Sequence, residues 1–411
     1  MLNFKKDFPI LKNNPGLIYM DSTASSQKPS YVIDAMKIYL ENDYSNIHRG
    51  SYSLAERSEH MYVDSKKKVA EFLGAHSWKE VIYTFNSTYA SNLLVGSLKR
   101  SGYFKAGDKV LVSIVEHHAN VVPWLILAEE VGIELDYIGV KDDYSLDFDD
   151  LERKLDDRVK AVSITHVSNV TGEIFDLEKV GEIIEERGKG KEESKKPLFI
   201  IDASQSFPHI KLDVQKLKCD FLFFTGHKVM ADSGIGVLWG REDLLKELKP
   251  AFSGGGAISW VKKTCFLEAP LPDRFEPGTP NLTGALSLLK ALEYIENIGG
   301  YKTIEEIELE LNKYTLQKFS EMSGVKLIGG VNHESRVSVF SFIVDGVHSL
   351  DIADYLAEKN ICIRAGQHCA EPFLGELGLN HTCRISLYIY NTKEDIDIFF
   401  DALQEAINVL K

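Results

Sequence analysis

The chain has 411 residues, 44% of them apolar and 26% charged, enough for a large core and more than one domain. A net charge of −14 argues against a general nucleic-acid binder, which needs a basic face. No run reaches the roughly 18 apolar residues of a membrane span, and the opening MLNFKKDFPILKN has no apolar stretch long enough for a signal peptide, so a cytoplasmic protein away from the membrane is expected.

In chain order, Asn86-Ser87-Thr88 marks a strand-to-helix turn. Four short apolar runs follow, each ending in polar residues: DKVLVSIVEHH (108–118), AVSITHVSN (161–169), PLFIIDASQS (197–206) and CDFLFFTGHK (219–228). Helix-like pieces such as LEKVGEIIEERG (177–188) lie between them. This rhythm predicts an α/β fold with a mostly parallel central sheet flanked by helices. RGKGKEESKKP (187–197) reads as a solvated loop. GTPNLTGALSLLKALEYI (278–295) opens a helical pattern, and 303–322 gives a charged helix. VSVFSFIVDG (337–346), a helix over about 349–359, ICIRAG (361–366), RISLYIY (384–390) and a terminal helix from Lys393 complete the pattern. The expected division is a large domain over 20–290 and a smaller α+β domain over 291–411, with residues 1–19 packing on the latter. Five cysteines, at 219, 265, 362, 369 and 383, make no CxxC or zinc spacing, which suits a reducing compartment and at most one special thiol.

Open α/β sheets hold ligands at the carboxyl ends of their strands. There the four runs place His117-His118, Asn169, Asp202 with Gln205, and Thr225-His227-Lys228. No metal set emerges, because Asp202 lacks companion carboxylates and the histidines form no HExxH. No nucleotide loop emerges either: Gly234-Ile-Gly236 lacks the third glycine of GxGxxG. Alone, Lys228 would be a solvated lysine and Asp202 a helix cap. Together they suit a Schiff-base lysine, since burial makes the neutral amine reachable. Pyridoxal 5'-phosphate accounts for the neighbours, with an aspartate facing its pyridine nitrogen, Gln205 near its ring hydroxyl, and Asn86-Ser87-Thr88, Thr225 and His227 as phosphate candidates.

These residues lie within ten blocks that carry a resemblance. YMDSTASSQKP (19–29), NIHRGSYSLA (46–55), EHHANVVPW (116–124), SNVTGEI (168–174), DASQS (202–206), TGHK (225–228), SGGGAI (253–258), FEPGTPN (275–281), RAGQHCAEP (364–372) and RISLYIYNT (384–392) run in one order over nearly the whole chain. They resemble the cysteine desulfurases of the class V aminotransferase group, in the SufS-type, group II branch. The resemblance implies a fold type I pyridoxal-phosphate enzyme that acts as a homodimer. It removes sulfur from L-cysteine, with L-selenocysteine as an alternative substrate, and leaves L-alanine. Lys228 is then the cofactor lysine, Asp202 pairs with the ring nitrogen, His117 stacks on the ring and Gln205 meets the ring oxygen. Ser87, Thr88, Thr225 and His227 bind phosphate, and Thr279 reaches the phosphate of the second subunit. Asn169, beside the cofactor, and Arg384 hold the substrate carboxylate. Cys369 takes the sulfur as a persulfide, with Arg364 at the base of its loop and close to the substrate. His117 and His368 are candidates for proton handling. A sulfur-acceptor protein is implied, serving iron-sulfur cluster assembly or other sulfur biosynthesis.

Three departures stand out. The phosphate turn usually reads Gly-Thr-Thr-Glu in this group, but is Asn86-Ser87-Thr88-Tyr89 here, with Asn86 expected to supply a left-handed residue. Gln367 stands where many members have histidine, and Glu371 follows the cysteine by two. His48, Arg49 and His118 receive no role.

Overall fold

The computed structural model describes residues 4–47, 50–189 and 196–411. His48, Arg49 and the centre of the charged 187–197 segment lie outside the described residues, while helix Leu177–Gly188 runs up to that segment.

The large sheet has seven strands in the spatial order Val81–Thr84, Gly236–Gly240, Phe221–Thr225, Leu198–Asp202, Val159–Thr165, Lys109–Ser113 and Glu134–Ile138. Five neighbours from Phe221–Thr225 to Glu134–Ile138 run parallel, and only Gly236–Gly240 opposes the strands beside it. Phe221–Thr225 is buried along its whole length. Side chains alternate across a strand, so it needs a cover on each face. Phe221 and Phe223 pack with Leu94, Leu98 and Trp124 of helices Ser87–Arg100 and Val122–Val131. Leu222 and Phe224 enter the other core, which includes Val180 and Ile184 of helix Leu177–Gly188.

A second sheet carries the C-terminal third, in the order Val325–Ile328, Val339–Val344, Thr382–Ser386 and Arg364–Gly366, all antiparallel. Helix Leu282–Asn297 is continuous across position 290. Helices Tyr301–Glu321, Ser349–Glu358 and Lys393–Leu410 lie close to the expected spans. Two expected strands differ. ICIRAG is two strands, because Ile361–Cys362 pairs in parallel with Ile18–Tyr19 while Arg364–Gly366 joins the second sheet. RISLYIY is a strand only to Ser386; beyond it, Leu387 donates to the Ser338 carbonyl and the Tyr388 N–H turns to Oδ1 of Asn391. From the N-terminal segment, Phe8 packs edge-on against Tyr390 and Lys5 pairs with Asp395 at 2.7 Å.

One buried ion pair fixes the segment that carries Thr279. Lys66, on helix Ser53–Leu73, pairs with Glu276 with its side chain 1% exposed. The Glu276 carboxylate also accepts from the Tyr83 N–H at 2.5 Å and the Tyr62 hydroxyl at 2.6 Å. Removing one member of such a pair strands the other charge in the interior. Lys66→Met is expected to cost about 3–5 kcal/mol. Denaturant unfolding checks this, and an unchanged midpoint would show that Glu276 finds another partner.

Candidate active site

The strand ends that the sequence singles out share one edge of the large sheet. Asp202 closes Leu198–Asp202, and Thr225 closes the adjacent Phe221–Thr225. The chain then turns through Gly226–Lys228, where a side chain on Gly226 would lie 2.6 Å from Ile235. That turn places Lys228 directly beyond the Thr225 end of the strand. Its amine attracts Asp202 and repels His117 and Arg384, so these groups occupy one electrostatic neighbourhood.

Burial sets the charge states. It lowers the Lys228 amine to about 8, against the attraction of Asp202, so the neutral form is reachable near neutrality. Burial raises the Asp202 carboxyl, outweighing the hydrogen bond from the Ser204 N–H at 2.9 Å and the pull of Lys228. No hydrogen bond or ion pair joins the two among the described residues, so burial outweighs their mutual attraction at both ends. His117 is pushed down to about 3 by burial and by Lys228. Its Nδ1 accepts from the Ala119 N–H at 3.0 Å, so the neutral ring carries its proton on Nε2. Beneath it, Glu116 ties two strand ends together. Its carboxyl accepts from the Ser113 hydroxyl, from the Thr165 N–H at 2.8 Å and from Asn120 at 2.8 Å.

At the phosphate end, Ser87 and Thr88 open the 14-residue helix Ser87–Arg100, where free N–H groups and the helix dipole favour an anion. Asn86 is extended at φ −171° rather than left-handed, because it caps this helix through the Tyr89 N–H at 2.8 Å. The turn is tight for another reason: a side chain on Gly236 would meet the Asn86 backbone at 2.6 Å. Tyr89, in place of the usual acid, stacks on Phe252. Thr225 presents a buried Oγ1 without a partner among the described residues. His227 is neutral at about 4, held down by burial and by Lys228, while its carbonyl accepts from Ser25, Ser26 and Lys28. Gln205 donates one amide N–H to the Thr23 carbonyl at 3.1 Å and leaves Oε1 buried without a partner. Thr279 is exposed, in a cleft beside Phe85, Tyr89 and Glu276.

The cysteine loop closes the site from the second sheet. His368 and Cys369 both have positive φ, 55° and 54°, a backbone that costs about 1–2 kcal/mol per residue without glycine. Contacts to the large sheet hold it there. The Asn169 amide donates to the His368 carbonyl at 2.8 Å, and the His118 N–H to the Cys369 carbonyl at 2.9 Å. His118 Nε2 also lies 2.5 Å from the Glu371 carboxylate, so the departure at 371 meets a residue without an assigned role. The His368 ring turns inward to Thr382 Oγ1 at 2.9 Å and stays neutral at about 3, while Cys369 beside it is exposed. Cys369 acts electrostatically on Lys228, Arg364 and Arg384. Among the described residues, no cluster of three or more His, Cys, Asp or Glu is placed to hold a metal ion.

The family model described as Aminotransferase class-V matches residues 18–399, almost the entire site-bearing chain. The chain belongs to the class-V aminotransferase family. Among its curated relatives, this class-V protein is 36% identical to a probable cysteine desulfurase of Synechocystis, over 98% of this chain and 94% of that one. It is 37% identical to a probable cysteine desulfurase of Pyrococcus abyssi, over 99% and 98%. The structure of a cysteine desulfurase from Thermococcus onnurineus superposes with a TM-score of 0.92 at 37% identity, covering 99% of this chain and 98% of that one. The cysteine desulfurase CsdA of Escherichia coli gives 0.91 at 31%, over the full length of both.

Two acids for which the sequence predicts no role sit among these residues, Glu116 beside His117 and Asp21 against Arg364 and Arg384. Glu116 precedes His117 at the end of an apolar run, and its position before a candidate residue is the one signal it offers. Asp21 lies between Met20 and Ser22 in a conspicuous block, yet nothing local ties it to Arg364, to which it makes two hydrogen bonds.

Proposed function

We propose that this protein is a cysteine desulfurase dependent on pyridoxal 5'-phosphate. L-Cysteine is converted to L-alanine, and its sulfur is left as a persulfide on Cys369. The observation that carries this is the exposed Cys369 held in one electrostatic neighbourhood with the low-pKa amine of Lys228 and two arginines.

The residues fit the cofactor. Buried polar atoms without partners among the described residues, Thr225 Oγ1, Ser204 Oγ and Gln205 Oε1, border Asp202 and Lys228 in sequence. Lys228 would hold the aldehyde, Asp202 the ring nitrogen, His117 the ring face and Gln205 the ring oxygen, with Asn169 alongside. Ser87, Thr88, Thr225 and His227 would hold the phosphate, and Thr279 that of the second subunit in a homodimer. When bound, pyridoxal phosphate supplies an electron sink for a carbanion at the substrate's Cα.

The rest of the chemistry is the chain's own. Lys228, neutral above about pH 8, takes the proton from Cα and can return it. Arg384, buried and short of an acceptor at Nε, grips the substrate carboxylate and fixes its orientation. His117 can donate a hydrogen bond from Nε2, since its Nδ1 is occupied by the Ala119 N–H. The Cys369 sulfur attacks the substrate sulfur, forming the S–S bond as the C–S bond breaks. The two clamped carbonyls of its loop keep that sulfur in position. A sulfur-acceptor protein in the cytoplasm then takes the persulfide sulfur onward to iron-sulfur cluster assembly or other sulfur biosynthesis.

Mass measurement after mixing the holoenzyme with L-cysteine tests the assignment. One added sulfur atom on the peptide holding Cys369, with one alanine formed, is expected. Alanine formed while Cys369 stays unmodified would overturn it.

A further inference from the structure

Arg364 and Arg384 stand directly opposite each other on antiparallel strands. Like charges so placed repel and destabilise the pairing. Asp21 relieves this. Its Oδ1 accepts from Nε of Arg364 at 3.2 Å, and its Oδ2 from Nη2 of the same guanidinium at 2.9 Å. The same Oδ1 lies 3.4 Å from Nη2 of Arg384. The fold sets this contact, because Asp21 bridges to Ser386 on the Arg384 strand and the adjacent Met20 carbonyl accepts the Ser386 N–H at 2.8 Å. Asp21 therefore covers the Nε–Nη2 edge of Arg364 that would otherwise clasp a carboxylate. Arg384 differs: its Nη1 is held by the Asn169 carbonyl at 2.9 Å, but its buried Nε has no acceptor among the described residues.

Two guanidiniums and one carboxylate leave a single net positive charge, which matches one incoming carboxylate. Without Asp21 the pair would carry two charges and present two open edges, which matches a dianion. On the reading of this pair as the substrate-carboxylate site of a cysteine desulfurase, we propose that Asp21 is a specificity-determining residue. It confines the arginine pair to one carboxylate, so the site accepts monocarboxylic α-amino acids and turns away dicarboxylic ones.

Asp21→Asn keeps the shape and removes the charge. Propionate and succinate, titrated into the holoenzyme by calorimetry, report the preference. The ratio of succinate to propionate affinity is expected to rise on the order of tenfold in Asp21→Asn. It should fall back in Asp21→Asn/Arg364→Ala, where one net charge is restored. Arg364→Ala alone leaves Asp21 facing Arg384, and both acids should bind roughly tenfold more weakly; this variant serves if Asp21→Asn does not fold. Equal shifts for both acids in Asp21→Asn, a ratio that stays high in the double variant, or unchanged binding in Arg364→Ala would each overturn the proposal. Neither probe is turned over, so these ratios remain measurable even if the natural protein forms no alanine from cysteine, the result that sinks the desulfurase reading instead.

Discussion

Lys228→Ala is expected to lower conversion of cysteine to alanine by roughly a thousandfold or more, because it removes both the covalent tether of the cofactor and the base at Cα. The variant should release its yellow colour on gel filtration, where the natural protein keeps it. A small primary amine added to the variant should restore part of the rate, since the missing function is an amine at a defined place. Near-natural turnover in the variant would remove Lys228 from the mechanism.

The same amine predicts a pH dependence. Burial lowers its affinity for a proton, to about 8. The neutral amine is the nucleophile, so the cofactor-free protein should capture pyridoxal phosphate slowly below that pH and faster above it, with the midpoint near 8. An exposed lysine would place the midpoint near 10.4. A profile centred there would mean that burial does not govern Lys228.

Cys369→Ala is expected to lower alanine release from cysteine by roughly a hundredfold or more while leaving cofactor content unchanged. Cys369 is exposed and has no part in the core, so the protein should fold. With selenocysteine the loss should be smaller, because selenium leaves carbon more easily than sulfur does. Spectroscopic titration of the bound cofactor with L-cysteine separates binding from sulfur removal. A variant that binds cysteine and also releases alanine at the natural rate would show that another group receives the sulfur. His368 is a poor substitute, since its ring is turned to Thr382 and it carries no thiol.

Much of the large sheet was legible because its strands are short apolar runs, buried on both faces, that end abruptly in polar residues. Asp202, Thr225 and Lys228 could be placed from those ends. The second sheet was legible in content but not in detail. ICIRAG reads as one strand because its apolar residues run on without a turn signal; it divides because Ile361–Cys362 finds a partner more than 300 residues away, at Ile18–Tyr19. RISLYIY stays apolar past Ser386, and its ladder ends where the Tyr388 N–H turns to Asn391. Asn86 shows the limit of local propensity. It can adopt a left-handed backbone, but the helix behind it offers an N–H to cap, and the cap prevails.

From sequence alone came the α/β rhythm, the sheet edge where polar residues collect, and the pairing of an amine with an acid there. These follow from local periodicity and from the rule that polar strand ends face a ligand. Tertiary structure alone decided that Asp21 neutralises Arg364, that Glu116 braces the His117 turn, and that Asn169 and His118 hold the two strained residues of the cysteine loop. Each of these joins side chains or carbonyls far apart in the chain, or depends on which way a buried group turns, and such contacts exist only once packing has fixed the distances.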